Sequence, residues 1–310
     1  MILYTSLIEA KEGIDSSAAA LGNFDGVHKG HQALICDCVQ YAKEQGISSV
    51  VFTFLNHPIN EMAGECVVKS IMTLKEKAMA VEALGADIMV AVPFNDSIRT
   101  CSPEDFVKNV LCGSLKVRQA FCGFNYNFGY RGEGDPSLLK ALGQKYGFGV
   151  SVLDEFGIEG QTVSSTLIRM RLAEGDVEDF QRLTGRRYAI SGRVIPGEHF
   201  GRKMGFPTIN LALNHDMALP ANGVYITNTF VNDIWYKSVT NVGNKPSVGK
   251  FAKNAETHIF NFSDNVYGQE VKVEFVKMLR PELKFETLED LSAQIEKDCE
   301  SARAYHGIEA

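Results

Sequence analysis

Several features that sort proteins into common classes are missing from this 310-residue chain. Its seven cysteines are odd in number and none stands in a Cys-x-x-Cys pair. Neither a disulfide framework nor zinc ligation is indicated. Most lie in apolar runs, as reduced thiols acting as small hydrophobes do in a cytoplasmic protein. Positive charge is not in excess: 31 Lys and Arg face 38 Asp and Glu, for a net charge of −7. That argues against a non-specific nucleic-acid binder and leaves room for a locally basic site. No apolar run approaches the roughly 18 residues of a membrane span. No basic region followed by an apolar stretch marks a secretory signal, so a cytoplasmic location and no membrane partner are expected. There is no internal repeat and no low-complexity segment. The two common nucleotide loops are absent too. No Gly-x-Gly-x-x-Gly occurs, and Gly243 to Gly249-Lys250-Phe251 has one residue too many for a Walker A loop and no hydroxyl after the lysine.

What is present is an ordinary globular composition, 45% hydrophobic and 22% charged, in a chain long enough for two domains. The first part alternates strand and helix. Leu34, Ile35, Cys38, Val39 and Ala42 share one helical face, and Gly46 ends that run. Val50 to Phe54 and Ile88 to Val92 read as buried strands. Thr73-Leu74-Lys75-Glu76 is a capping box, and Ser102-Pro103-Glu104-Asp105 opens another helix with proline at its first position. Strands near 116–122 and 148–154 flank a helix at 136–146. This alternation predicts a parallel sheet covered by helices on both faces. The pattern changes near Leu183-Thr184-Gly185-Arg186. Strands then follow without helices, near 188–195, 223–231, 234–242, 256–262 and 270–279, with Asn232-Asp233 as a hairpin turn. An antiparallel barrel or sandwich is expected there. It closes on a helix from Thr287 whose apolar stripe is Leu288, Leu291, Ile295 and Cys299. The expected domains are 1–183, α/β, and 184–310, antiparallel β.

Three segments carry chemistry. Leu21-Gly22-Asn23-Phe24-Asp25-Gly26-Val27-His28-Lys29-Gly30-His31 lies where a short apolar run gives way to a helix. Free N–H groups and imidazoles at a strand-to-helix turn can hold phosphate. Gly26 and Gly30 permit close approach of backbone to nucleotide. Val163-Ser164-Ser165-Thr166-Leu167-Ile168-Arg169 puts three hydroxyls at a helix start and a guanidinium one turn in, a phosphate clamp by type that also serves as an N-cap. Gly201-Arg202-Lys203-Met204-Gly205-Phe206-Pro207-Thr208-Ile209-Asn210 spaces Thr208 and Asn210 two apart, on one face of an extended segment. Two neutral oxygen ligands together with ATP phosphates suit Mg²⁺, which keeps few protein ligands.

His28-Lys29-Gly30-His31 resembles the signature of nucleotidyltransferases. Taken with the Gly-Asn-Phe-Asp-Gly before it and the Gly-Phe-Pro-Thr-x-Asn of 205–210, it resembles the bacterial bifunctional riboflavin kinase/FMN adenylyltransferases, the FAD synthetases. Phe54-Leu55-Asn56-His57-Pro58, Gly123 to Gly129, Gly223-Val224-Tyr225, Asn241-Val242-Gly243, Tyr267-Gly268 and Leu279 to Phe285 match that family in order. The resemblance implies a Rossmann-like nucleotidyltransferase domain followed by a riboflavin kinase β-barrel. Riboflavin and ATP would give FMN, and FMN and ATP would give FAD and pyrophosphate, with Mg²⁺ at both sites. It implies ATP contacts for adenylyl transfer from Gly22, Asn23, Phe24, Gly26, His28, His31, Ser164, Ser165, Thr166 and Arg169, with His28 and His31 catalytic. The flavin side of that site would be His57, Asn125, Tyr126 and Phe128. His57 reads equally as structural. In the kinase, ATP would meet Gly201, Arg202, Gly205, Pro207, Thr208 and Asn210, with Thr208 and Asn210 on the metal. The flavin would meet Arg280 and Phe285, and Glu256 would take the hydroxyl proton.

The chain departs from the family at Asn125-Tyr126, where many members carry Asp-Phe, at Asn127, often basic, and mildly at Asn244-Lys245-Pro246-Ser247. The other readings are a nucleotidyltransferase with another acceptor, a chain with only the kinase active, and a non-catalytic flavin-binding regulator. Oligomeric state, including a homo-oligomer, is left open by the sequence.

Overall fold

Short β-branched and apolar runs, each followed by a capped helix, build the N-terminal half. A computed structural model of the chain describes residues 1–197, 205–214, 216–245 and 252–308. It divides into two units, Met1–Ser165 and Thr166–Ala310. The first runs β1 (Ile2–Tyr4), α1 (Leu7–Gly13), β2 (Ser17–Leu21), α2 (Lys29–Gln45), β3 (Ser48–Phe54), α3 (Pro58–Ala63), α4 (Leu74–Ala83), β4 (Ile88–Val92), α5 (Asp96–Arg99) and α6 (Pro103–Asp105), which continues as a π-helix over Phe106–Ser114. Then come β5 (Val117–Gly123), α7 (Pro136–Tyr146), β6 (Gly149–Leu153) and a small hairpin, β7 (Gly157–Ile158) and β8 (Gln161–Thr162).

Six of these strands form one parallel sheet in the order β1-β4-β3-β2-β5-β6. Strands β2 and β4 are buried at every position, as strands covered on both faces must be. Two hydrophobic clusters lie on the two sides: one holds Leu21, Phe52, Val90, Phe106 and Leu111, the other Phe24, Ile35, Cys38, Val51 and Met89. After β2 the chain moves through α2 to β3, whereas after β5 it moves through α7 to β6 on the other side. The carboxyl ends of β2 and β5 therefore flank a topological switch point, where open α/β sheets bind ligands. The turn 22–28 follows β2, and the loop 124–135 follows β5.

The second unit holds α8 (Ser165–Glu174, from its second residue), α9 (Val177–Thr184), β9 (Ala189–Ile195), β10 (Ile209–Ala212), β11 (Gly223–Val231), β12 (Ile234–Lys245), β13 (Ala252–Ile259), β14 (Glu270–Pro281) and α10 (Leu288–His306). The six strands close into an antiparallel barrel, β10-β13-β12-β11-β14-β9. Asn232 and Asp233 both adopt positive φ, 51° and 62°, as a two-residue hairpin turn requires. One set of buried positions is polar. Thr227 bonds Ser238 and Thr240 at 2.8 Å, Thr229 bonds Ser238 at 2.8 Å, and Thr240 bonds Thr257 at 2.9 Å. Each hydroxyl thus answers another, and the unpaired-polar penalty is avoided.

Helix α10 packs Cys299 and Ala302 against Val224, Ile226, Val239 and Phe260. Leu288, expected in its apolar stripe, is 64% exposed, and the buried residues include Asp298 instead. Asp298 is buried by an ion pair that periodicity does not report. Arg280 on β14 donates from Nε at 3.0 Å and Nη2 at 2.7 Å to the Asp298 carboxylate, and Gln294 Nε2 donates to it at 3.0 Å. Removing one partner of a buried pair strands the other charge. Asp298→Ala is expected to destabilise this unit by about 3 kcal/mol in urea denaturation, and Asp298→Asn by less. A loss below about 1 kcal/mol would show that the pair does not hold α10.

Candidate active sites

The turn after β2 is built from strained backbone. Phe24, Gly26 and Val27 take φ of 48°, 82° and 34°. Glycine accepts this freely, but a β-branched valine does not. The turn delivers His28 as N-cap of α2, its Nδ1 accepting from the His31 N–H at 3.2 Å. With Nδ1 an acceptor, the proton of the neutral ring is on Nε2. The two imidazoles stack at 3.6 Å between centroids, and Phe24 meets His31 edge-on at 5.2 Å. Gly30 is small for a local reason. A Cβ there would come 3.2 Å from Phe156 and 3.3 Å from the His28 ring.

Tethers from elsewhere in the unit hold the turn. Both Asp25 carboxylate oxygens accept from the Ile71 N–H, at 3.0 and 3.1 Å. Ser165 Oγ donates to the Asp25 carbonyl at 2.7 Å, joining the hydroxyl segment to the histidine turn. Thr166 and Arg169 follow on α8, where Arg169 is four residues from Ser165 and shares its face. Asn23 is half-buried. Phe24 is 1% exposed and belongs to the core, reaching the site only by its edge on His31.

The expected flavin side divides. His57 caps α3, its Nδ1 accepting from Ile59 N–H at 3.3 Å, and also lines a small pocket of about 40 Å³ with Asn23, Asp25, Asn56, Ser70 and Lys77. Asn125 is exposed. Phe128 is buried in the core against Phe106, with Tyr126 stacked on it at 5.8 Å, and burial pushes the Tyr126 phenol up. The aromatics that the loop does expose are Phe124, at 47%, and Tyr130, at 37%. Lys77 escaped the sequence reading, because a lysine on a capped helix looks like a solvent residue.

In the barrel, Thr208 and Asn210 line a cavity of about 380 Å³ with Pro207, Thr257, Asp264, Asn265 and Tyr267. Asn210 pairs with Glu256 across β10 and β13, and Asn241 pairs with Glu256 across β12 and β13. Asn254 was not foreseen. Its Nδ2 donates to Asn210 Oδ1 at 3.0 Å and to Glu256 Oε1 at 3.1 Å, so one buried amide sets both groups. His258 was missed as well. Its Nδ1 donates to the Pro207 carbonyl at 2.8 Å and fixes the Gly-Phe-Pro-Thr segment to β13. Only a fold that places β10 beside β13 brings these residues together. Gly205 has φ of 87°. Gly201 and Arg202 lie outside the described residues. The Arg280 guanidinium is engaged by Asp298 and stands 5.8 Å from the Phe285 ring.

A family model for FAD synthetase matches residues 10–167, and one for riboflavin kinase matches residues 184–306. The chain belongs to the bifunctional riboflavin kinase/FMN adenylyltransferase family. A relative of that name from Haemophilus influenzae is 34% identical over 98% of this chain and 99% of its own. Another from Bacillus subtilis is 36% identical over 95% and 94%. The crystal structure of a macrolide-efflux protein from Streptococcus pneumoniae superimposes with a TM-score of 0.88 at 25% identity, covering 98% of this chain and 99% of that one. No helix among the described residues of this family member is long and apolar enough to cross a membrane.

Burial lowers the pKa of His258 from its ordinary 6.5, with Arg303 adding to the effect and the Pro207 carbonyl opposing it. Burial also lowers His306. The unfolded chain therefore binds more protons than the folded one just below pH 6.5, and stability falls as pH falls through that window. Denaturation of the chain between about pH 7 and 5 is expected to show this slope, reduced in His258→Gln. An unchanged slope in that variant would place the titration elsewhere.

Proposed function

We propose that this chain makes FMN and then FAD, one step in each half, with the functional boundary at 183/184. The observation that carries the reading is the coupling of Asn210, Asn254 and Glu256 on adjacent strands beside the cavity, in a chain whose other half presents the His28/His31 turn at a sheet switch point. Riboflavin, FMN and ATP are the substrates.

In the kinase half, Glu256 accepts the proton of the ribityl terminal hydroxyl as its oxygen attacks the γ-phosphorus of ATP; the bond from that phosphorus to the β–γ bridging oxygen breaks and ADP leaves. Asn254 can only donate to that carboxylate, so it orients the group without competing for the proton. The cavity beside Thr208 takes the nucleotide, with Gly205 and Pro207 for its phosphates and Arg280 and Phe285 for the flavin; Gly201 and Arg202, the other expected ATP contacts, lie outside the described residues. Thr208 and Asn210 would hold Mg²⁺. The donor set fits: both are neutral oxygen ligands, the kind that suits Mg²⁺ beside ATP phosphates, and both line the same cavity. Among the described residues, no group of three or more His, Cys, Asp and Glu side chains offers another site. When bound, the ion supplies charge neutralisation.

In the other half, an FMN phosphate oxygen attacks the α-phosphorus of ATP and pyrophosphate leaves. His28 and His31, with Gly22, Asn23, Gly26 and the Ser164, Ser165, Thr166 and Arg169 segment, stabilise the phosphate charge. Neither step needs a covalent enzyme intermediate. For the flavin, His57 and Asn125 are reachable side chains, whereas Tyr126 and Phe128 support the loop from beneath. A kinase-only chain and a non-catalytic regulator are not favoured, because both halves match enzyme families.

Two variants test the assignment. Glu256→Ala is expected to lose more than about a hundredfold in FMN formation while converting FMN to FAD normally. His31→Ala is expected to do the reverse. Equal loss of both activities in either variant would refute separate sites. Asn254→Leu is expected to lower kinase turnover roughly ten- to a hundredfold with FAD formation unchanged. Unaltered turnover would show that Glu256 orients itself.

A further inference from the structure

Helix α4 carries a lysine where packing alone calls for an apolar residue. Lys77 is 7% exposed, and lysine is rarely buried unless it is used. Its Nζ donates to the Asn23 carbonyl at 2.7 Å and to Thr53 Oγ1 at 3.3 Å, while Thr53 Oγ1 itself donates to the same carbonyl at 2.8 Å. Two donors, one of them charged, thus converge on a single backbone oxygen at the entry to the strained turn. A leucine or methionine would fill the space without the cost of desolvating an ammonium.

We infer that Lys77 is a positioning residue of the adenylyl-transfer site: its charged ammonium holds the Asn23 carbonyl and, through it, the turn that receives the polyphosphate of ATP. This inference rests on the reading of that turn as the ATP site. A charge-assisted hydrogen bond is about twice as strong as a neutral one, so the tether weakens when the ammonium loses its proton, and the local positive potential goes with it. The groups facing Lys77 are Asp25 and His57, which line the same small pocket, together with the neutral Asn23, Thr53, Asn56 and Ser70. On its own helix, Glu76 is turned back to Thr73 in the capping box. Asp25 offsets the ammonium charge, which argues against a free anion site in the pocket and for a charge used internally. Burial pulls the Lys77 pKa down to about 8, against a smaller opposing pull from Asp25. The tether is therefore set to fail at mildly alkaline pH.

The sign of this shift separates positioning from packing. Between about pH 8 and the ordinary lysine value of 10.5, the unfolded chain holds a proton that the folded one releases. Rising pH therefore relieves a folding penalty. Over that range the enzyme should grow more stable while its ATP site worsens.

The test measures initial rates of FAD formation from FMN, ATP and Mg²⁺ from about pH 6.5 to 9.5 for wild type and Lys77→Met, with thermal denaturation in the same buffers. The wild-type KM for ATP is expected to rise roughly tenfold, the size of one charge-assisted hydrogen bond, with its inflection near pH 8. Lys77→Met is expected to start at the high KM and show no inflection. The wild type should also gain thermal stability relative to the variant above pH 8. A flat wild-type KM, or the same inflection in Lys77→Met, would overturn the inference while leaving the site reading intact. If Lys77→Met does not fold, the wild-type profile alone decides. A wild type that makes no FAD at any pH would overturn the site reading and this inference with it.

Discussion

The turn between β2 and α2 holds a backbone that its own residues disfavour. Phe24 and Val27 sit at positive φ, and strain of this kind costs about 1–3 kcal/mol per residue. It persists because the neighbours over-determine it. Ile71 N–H fixes the Asp25 carboxylate, Ser165 Oγ fixes the Asp25 carbonyl, and Lys77 with Thr53 fixes the Asn23 carbonyl. These tethers come from three separate parts of the unit, so the turn's shape depends on the sheet and its helices being assembled around it. In return, the turn delivers two stacked imidazoles at the head of α2, beside the carboxyl ends of β2 and β5, where the strand order reverses.

The barrel solves the same problem with register. Antiparallel pairing sets Asn210, Glu256 and Asn241 side by side on β10, β13 and β12, and Asn254 locks the first two with one amide. A one-residue slip would carry the whole set to the opposite face. The buried hydroxyls of Thr227, Thr229, Ser238, Thr240 and Thr257 resist such a slip, because each hydroxyl would lose its partner. The site's geometry is thus a consequence of how the barrel is filled.

Much of this was legible in the sequence, for physical reasons that differ by element. Strong local rules placed β4 at Ile88–Val92, α7 at Pro136–Tyr146 and β11 at Gly223–Val231 where patterning expected them. The caps at Thr73 and Ser102 and the turn at Asn232-Asp233 formed as their residue types dictate. Elements short enough to carry little periodicity, β1 and α1, leave no mark in the pattern, and β10 is legible only as the extended segment of Thr208 and Asn210. The candidate sites were legible as motifs. Their supports were not, because Lys77, Asn254 and His258 act across strands and helices far apart in sequence. Phe128 reads as a flavin contact by motif and proves to be core, since an aromatic residue carries no local mark of which way it faces. Asp298 on α10 is buried for the same kind of reason: its partner is a distant arginine, which helix periodicity does not show.

The central claim is that one chain carries two successive chemistries in separate halves. The most direct test is a time course of flavins, separated chromatographically, after mixing purified protein with riboflavin, ATP and Mg²⁺. The account predicts that FMN rises first and that FAD follows at its expense. FMN that accumulates without FAD, even when the flavin is reduced, would contradict the role given to the His28/His31 turn. Riboflavin that stays unconverted would contradict the role given to Glu256 and its neighbours.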